Sequence, residues 1–356
     1  MEYPLFNSKA LSDGNVYDLT DSVGRLKYFH AKLGDKIPQL KEFLDKNSFV
    51  GFMLAKKLAG KGTYAKMVED VLGSERFAHI SVGDVTRNTG AVLDDSIKSR
   101  ELIAYLENNY RGTLSLSDAL DAFKNRSQDK ISVPTDFILC LLKKEIASMN
   151  KKALFIDGLP RNMDQISASL YFRVLINYRD DPDFFVLIEA PLEILDTRML
   201  YRTICPDCHT SRNILFTPTT FVKYDETTNQ YYLVCDNKEC SGYGKSRFIT
   251  KVGDDQGIKS IEARLKDDQQ LMDVASQLQG IPKILLRSSY PVDVANQYLE
   301  DYEIQPKLVY SHDAHGVHIS KENWVITDDY GVKSYTIYAA VYIVNLLTQI
   351  HKIIFE

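Results

Sequence analysis

The chain has 356 residues, with 43 Lys and Arg against 48 Asp and Glu, a formal charge of −5. That near-neutral balance argues against a generally basic nucleic-acid binder and against a polybasic membrane-surface protein. Hydrophobic residues at 44% and charged residues at 26% exclude wholesale disorder, and the length points to more than one folding unit.

The first residues, MEYPLFNSKALSDGNVYDL, lack a basic start followed by an apolar run, so no secretory signal is expected and a cytoplasmic location is. Across residues 21–46 apolar side chains recur at three- and four-residue spacing (Leu26, Phe29, Leu33, Leu40, Phe43, Leu44). This predicts short helices in an N-terminal extension. SFVGFMLA, residues 48–55, then predicts a strand, and GKGTYAKMVEDVL, residues 60–72, a helix after a Gly- and Lys-containing turn. FAHISV (77–82), KALFID (152–157) and FFVLIEA (184–190) are apolar rather than alternating, as buried parallel strands are. Helical patterns at 136–149 and 191–201 separate them, giving an α/β sheet with helices on both faces.

Two segments break the alternation and read as inserted modules. Residues 89–133 are polar and helix-rich, and residues 203–249 hold four of the five cysteines between Thr- and Tyr-rich stretches of β character. Further on, SHDAHGVH (311–318) reads as a solvated loop carrying His312, His315 and His318. Trp324 opens the last strand-like run, ENWVITDD, and residues 334–347 predict a helix that closes the sheet. The apolar run 337–347 is too short for a spanning helix, which needs roughly 20 residues, so a core helix is expected and a membrane partner is not.

Three loops carry chemistry. In LAKKLAGKGTYAK, Gly60, Lys61, Gly62 and Thr63 supply the second half of a phosphate-binding loop: backbone N–H groups for an anion, a Lys for the terminal phosphates, and a helix behind. A plain Gly-containing turn is the alternative. SVGDVTR places Asp84 and Arg87 at the C-terminal end of a strand, where open α/β sheets bind ligands. FIDGLPRNMDQ follows another strand; Asp157, beside Gly158, suits a hydrated Mg²⁺, and Arg161 has the fork geometry for phosphate.

In order and spacing, these loops resemble the adenylate kinase family of nucleoside monophosphate kinases, over most of residues 48–265. The family's GxPGxGKGTQ, STGDxxR and DGFPRxxxQ stand here as AKKLAGKGTY, SVGDVTR and DGLPRNMDQ. LDTRMLYRTICPDC adds the arginine pair Arg198 and Arg202, and DDQGIKSIEARL adds Arg264. The resemblance implies a P-loop NTPase-like parallel sheet flanked by helices, with inserted modules for the acceptor nucleotide and for a zinc-containing lid. It divides the chain into an N-terminal helical extension (1–47), core (48–84), acceptor-binding insertion (85–135), core (136–202), zinc lid (203–250), and core completion with a C-terminal extension (251–356). The implied activity is ATP + AMP giving two ADP with Mg²⁺, in a monomer whose partners are small nucleotides rather than nucleic acid.

By the same resemblance Lys61 contacts the transferring phosphate, Arg87 and Arg161 the monophosphate, and Arg202 and Arg264 the phosphates in the closed state. Arg198 stacks on the donor base, and Gln165 pairs with the acceptor base, favouring adenine. CPDC and CDNKEC offer Cys205, Cys208, Cys235 and Cys240 as a closed, structural Zn²⁺ site; His209 is a minor alternative ligand, and Cys140 reads as a buried small hydrophobe. The phosphate loop departs from the family: Ala55 and Leu58 replace glycines, Lys57 replaces proline, and Val82 replaces a threonine in the next loop. A catalytically weak, nucleotide-binding homologue, acting as a sensor or assembly partner, is therefore the alternative, as is a kinase for another monophosphate.

Overall fold

The computed structural model describes residues 3–125 and 133–356. The portion of the helical insertion expected at residues 126–132, and the first two residues of the N-terminal extension, lie outside the described residues.

A five-stranded parallel sheet forms the centre, in the order Lys283–Arg287, Asp183–Glu189, Val50–Ala55, Ala153–Asp157, Phe77–Ser81. Every residue of Val50–Ala55 is buried, because helices cover both faces. The two-residue strand period splits its side chains: Met53 and Ala55 enter one hydrophobic cluster, Val50, Phe52 and Leu54 the other. Gly51 has a packing reason to lack a side chain, since a Cβ there would lie 2.7 Å from the Phe155 ring and 2.9 Å from that of Phe184. The edge strand Lys283–Arg287 was not anticipated from sequence; at five residues with charged ends it offers too short an apolar run.

The helices Ser22–Leu33, Lys36–Leu44, Lys61–Leu72 and Ala339–Phe355 supply one cluster; Thr135–Ala147, Asp164–Leu175 and residues from Glu262–Gln277 supply the other. Asp21 starts the first of these helices by accepting from the N–H groups of Val23 (2.7 Å) and Gly24 (3.1 Å). The terminal extensions meet at a buried ion pair, Lys32 to Glu303 at 3.2 Å, whose carboxylate also accepts from Ser8 and Tyr28, both at 2.6 Å.

The C-terminal part differs from its expected outline. Residues 333–336 form a strand, paired antiparallel with Val325–Thr327 and Ser289–Pro291, so the last helix starts at Ala339 rather than at residue 334. The histidine-containing stretch is no loop: Lys307–Asp313 and Gly316–Glu322 pair throughout as an antiparallel hairpin. Between these regions and the core lie the five short strands of residues 202–250, in which Arg202–Ile204 pairs with both Ser211–Asn213 and Ile249–Thr250. No helix among the described residues is long and apolar enough to cross a membrane.

Candidate functional site

The strand Val50–Ala55 ends at a loop of residues 56–60, and the helix Lys61–Leu72 follows at once. Gly60, at φ 103°, makes the turn into the helix, and no side chain caps that N-terminus. A helix start left uncapped presents N–H groups and a positive dipole end to an anion. Of the two replaced glycines, Ala55 lies inside the extended strand, where a Cβ is harmless. Leu58 is a different matter: it takes φ 73°, a left-handed conformation that costs an L-residue roughly 1–2 kcal/mol. Its side chain packs against the core cluster, and its carbonyl accepts from Arg198 Nη1 at 3.1 Å.

A cleft of about 460 Å³ opens at the C-terminal ends of the strands. Gly60, Lys61, Gly62 and Thr63 line it on one side; Asp157, Gly158 and Arg161 from the loop after Ala153–Asp157 line it on another. Arg202 at the root of the cysteine-bearing insertion and Arg264 on the helix Glu262–Gln277 complete it. Lys61 Nζ lies 2.9 Å from the Ala55 carbonyl oxygen and 3.6 Å from Asp157 Oδ1. Arg202 holds Asp254 through both Nε (2.6 Å) and Nη2 (2.8 Å), which bolts the two chain ends of the insertion together. For Arg161, the surrounding protein and then the Arg264 guanidinium make the protonated form less favourable than in water. So many cations facing one space are mutually repulsive unless an anion sits among them.

The remaining candidates lie around this cleft rather than on it. Arg87 and Asp84 sit on the first two turns of the helix Val82–Asp94, which begins directly after the strand instead of after a loop. The two side chains pair with each other, and that of Arg87 is 71% exposed. Gln165 is buried, its Oε1 accepting from the Arg161 N–H at 2.8 Å, so it shapes the Arg161 turn. Arg198 backs the phosphate loop through Leu58. Val82 is buried beside Gly158.

One residue escaped the sequence reading. Asp268, one helical turn beyond Arg264, accepts from the Lys57 N–H at 3.0 Å and lies 4.0 Å from Arg264; burial raises its carboxyl pKa. Its signal was the four-residue Arg-to-Asp spacing on a helix. Lys57 lines the cleft, although the position invites no cation by motif. Asp157 and Asp268 are the carboxylates on the cleft wall, and as hard oxygen donors they fit a hydrated Mg²⁺.

Cys205, Cys208, Cys235 and Cys240 form the one multi-residue metal-ligand cluster found among the described residues, with all four Sγ atoms within 4.8 Å of one another. Cys205 and Cys240 sulfurs lie 3.9 Å apart, Cys208 and Cys235 sulfurs 3.8 Å apart. Tetrahedral zinc with Zn–S near 2.3 Å requires S–S edges of about 3.8 Å, so the thiols fit the ion. His209 is exposed and outside the cluster.

No family model matches the chain. It is similar to the adenylate kinase of Desulforamulus reducens, with 25% identity over 226 residues covering 62% of this chain and 93% of that one. The adenylate kinase of Clostridium perfringens strain SM101 is 30% identical over 165 residues, 46% of this chain and 62% of the relative. That of Thermotoga petrophila is 28% identical over 163 residues, 45% and 61%. The latter two alignments thus span less than two thirds of the relatives. Together these similarities support an adenylate kinase-like family for the chain.

Proposed function

We propose that this adenylate kinase-like chain is a nucleoside monophosphate kinase, with ATP as donor and AMP as the favoured acceptor. The observation that carries the reading is the convergence of Lys61, Arg161, Arg202 and Arg264 with the uncapped helix start at Gly60 on one cleft. Phosphoryl transfer needs little from a protein beyond alignment and neutralisation of spreading negative charge, which such a cleft supplies.

In this reading the 60–63 loop and Lys61 hold the donor phosphates, and Arg161 faces the acceptor phosphate from the opposite wall. Arg202 and Arg264 follow the charge as it moves from donor to acceptor. Arg87 joins from the helical insertion, which requires release from Asp84 and an inward swing of that module. Gln165 and Arg198 are the base-contacting side chains. Asp157 and Asp268 would hold the water shell of a Mg²⁺ ion, which when bound would neutralise phosphate charge. The four thiolates would hold a structural zinc that folds residues 203–250 into a lid.

A coupled assay with AMP, CMP, UMP and GMP tests the reading. Transfer to AMP is expected to exceed the others and to fall at least about a hundredfold in Lys61→Met, as loss of one preorganised charge contact to the transferring group does. Binding without transfer to any of the four would instead favour a nucleotide sensor, the alternative to which the strained Leu58 in the phosphate loop points.

A further inference from the structure

Two lysines stand side by side in the phosphate loop and face different partners. Lys56 is buried, its ammonium 3.0 Å from Asp329 Oδ2, so the C-terminal segment neutralises it. Lys57 is half-buried in the cleft wall with Lys61, Arg161, Arg202 and Arg264, and its main chain is pinned there by the N–H bond to Asp268. Among the described residues its ammonium has no ion-pair partner.

We propose that Lys57 is an additional phosphate-binding residue, whose ammonium contacts the polyphosphate of the donor nucleotide and offsets the loss of close backbone approach at Leu58. Leu58 keeps the left-handed turn of the loop at φ 73° but carries a side chain, so the N–H cradle there is less open than one made by glycine. A flexible ammonium one residue earlier reaches the same anion without asking the backbone to approach it. Burial, followed by the charges of Arg264, Arg202 and Lys251, lowers the pKa of Lys57. The group therefore lies within the field of the guanidiniums that face the cleft, and a bound polyanion relieves that repulsion. Lys56 cannot take the part without giving up Asp329.

This inference rests on the cleft being a nucleotide site, and titration calorimetry with ATP, ADP and AMP separates the two. Lys57→Met is expected to weaken ATP binding about tenfold or more, the scale of a charged hydrogen bond, and to weaken AMP binding much less. Lys57→Arg should keep ATP affinity within a few-fold, and its salt dependence should match the wild type, whereas the Met variant should show a shallower one. Lys66→Met, which removes an exposed lysine from the following helix, controls for net charge and should leave ATP binding unchanged. Circular dichroism melts report whether Lys57→Met folds; if it does not, Lys57→Gln takes its place. Wild-type ATP affinity in the Lys57 variant overturns the role of Lys57 and leaves the cleft reading standing. Failure of the wild-type protein to bind ATP overturns both.

Discussion

The two insertions that flank the cleft are tied to the core by different means. The helical insertion is held through the helix that follows it: Tyr110 and Phe123 pack their rings on Phe137 at 5.9 and 5.4 Å. The cysteine-bearing insertion has its own core of Cys205, Leu233, Cys235, Cys240 and Phe248, and its two chain ends are held together by the Arg202–Asp254 fork. It also has a second attachment, the C-terminal hairpin. The Leu308 N–H donates to the Leu215 carbonyl at 2.9 Å, and the Tyr310 hydroxyl donates to that of Ile214. At the tip His312 stacks on Tyr224 with ring centroids 3.6 Å apart and meets the Tyr231 hydroxyl at 3.0 Å. At the base Trp324 lies on Phe216 at 4.5 Å. A module that closes on two chain ends can swing freely, whereas one strapped to a hairpin must carry the hairpin with it or break the contact. The lid of the proposed kinase is therefore the slower or the more restricted of its two moving parts.

The largest test of this contrast removes the lid's own fold. Structural zinc contributes on the order of 10 kcal/mol or more to small modules that fold around it. Chelation, or Cys235→Ser, is expected to expose residues 203–250 to protease while the sheet and the helical insertion stay protected, with close to one zinc per chain lost. Intact protection of that segment after metal removal would mean that the hairpin alone holds it.

A smaller perturbation cuts the strap and leaves the zinc. Trp324 is 9% exposed and packs with Ile194, Ile326 and Phe216, and it is the chain's single tryptophan. Trp324→Ala should cost about 3 kcal/mol in chemical denaturation, at the low end for a buried tryptophan because the cluster is small. In the wild-type protein the intrinsic fluorescence of Trp324 should shift when a bisubstrate analogue such as diadenosine pentaphosphate is added, since Phe216 belongs to the module proposed to move. An unchanged spectrum upon saturable binding would show that lid and hairpin travel as one body.

The ease with which these regions could be read from sequence follows their physics. Strands buried on both faces must be apolar throughout, so Val50–Ala55, Ala153–Asp157 and Asp183–Glu189 were visible from composition. Metal ligands are set by short local spacing, so the four cysteines that converge were legible as well. The hairpin was not, because residues 311–313 and 318–322 are exposed and give no apolar alternation; it is held by pairing and by aromatic contacts with a distant module. The last helix was placed five residues early because YTIYAAVYIV is apolar or aromatic at every position but Thr336 across the strand-to-helix junction, where periodicity has little to distinguish. Within the cleft the motif glycines and arginines were legible, and Lys57 stood out against the motif, while Asp268 was not legible, since its tie to Lys57 joins positions 211 residues apart.

The mildest test concerns the root of the strap. After Trp324 the chain runs back beneath the phosphate loop, where Asp328 meets Arg287 (3.3 Å) and Asp329 meets Lys56 and the N–H of Leu192 (2.8 Å). Beside them Glu189 borders a cavity of about 220 Å³, and among the described residues no side chain hydrogen-bonds its carboxylate oxygens. Burial is the main cause that raises its pKa to about 7; Asp329 adds to the rise, while Arg287 and Lys56 oppose it. The folded state therefore holds a proton that the unfolded chain, with an ordinary Glu pKa, has released. The contribution of Glu189 to stability is fully present below about pH 4.5 and is lost as pH climbs through about 7, to a total of up to about 3 kcal/mol. Glu189→Gln should match the wild type in urea denaturation near pH 4.5 and exceed it by up to that amount near pH 8. Because Glu189 acts at the strap's root, the same variant should narrow any difference between pH 6 and pH 8 in the Trp324 fluorescence. A stability gap between the two proteins that does not vary with pH would show that Glu189 finds a compensating partner when it ionises, and the strap's anchorage would then be insensitive to pH.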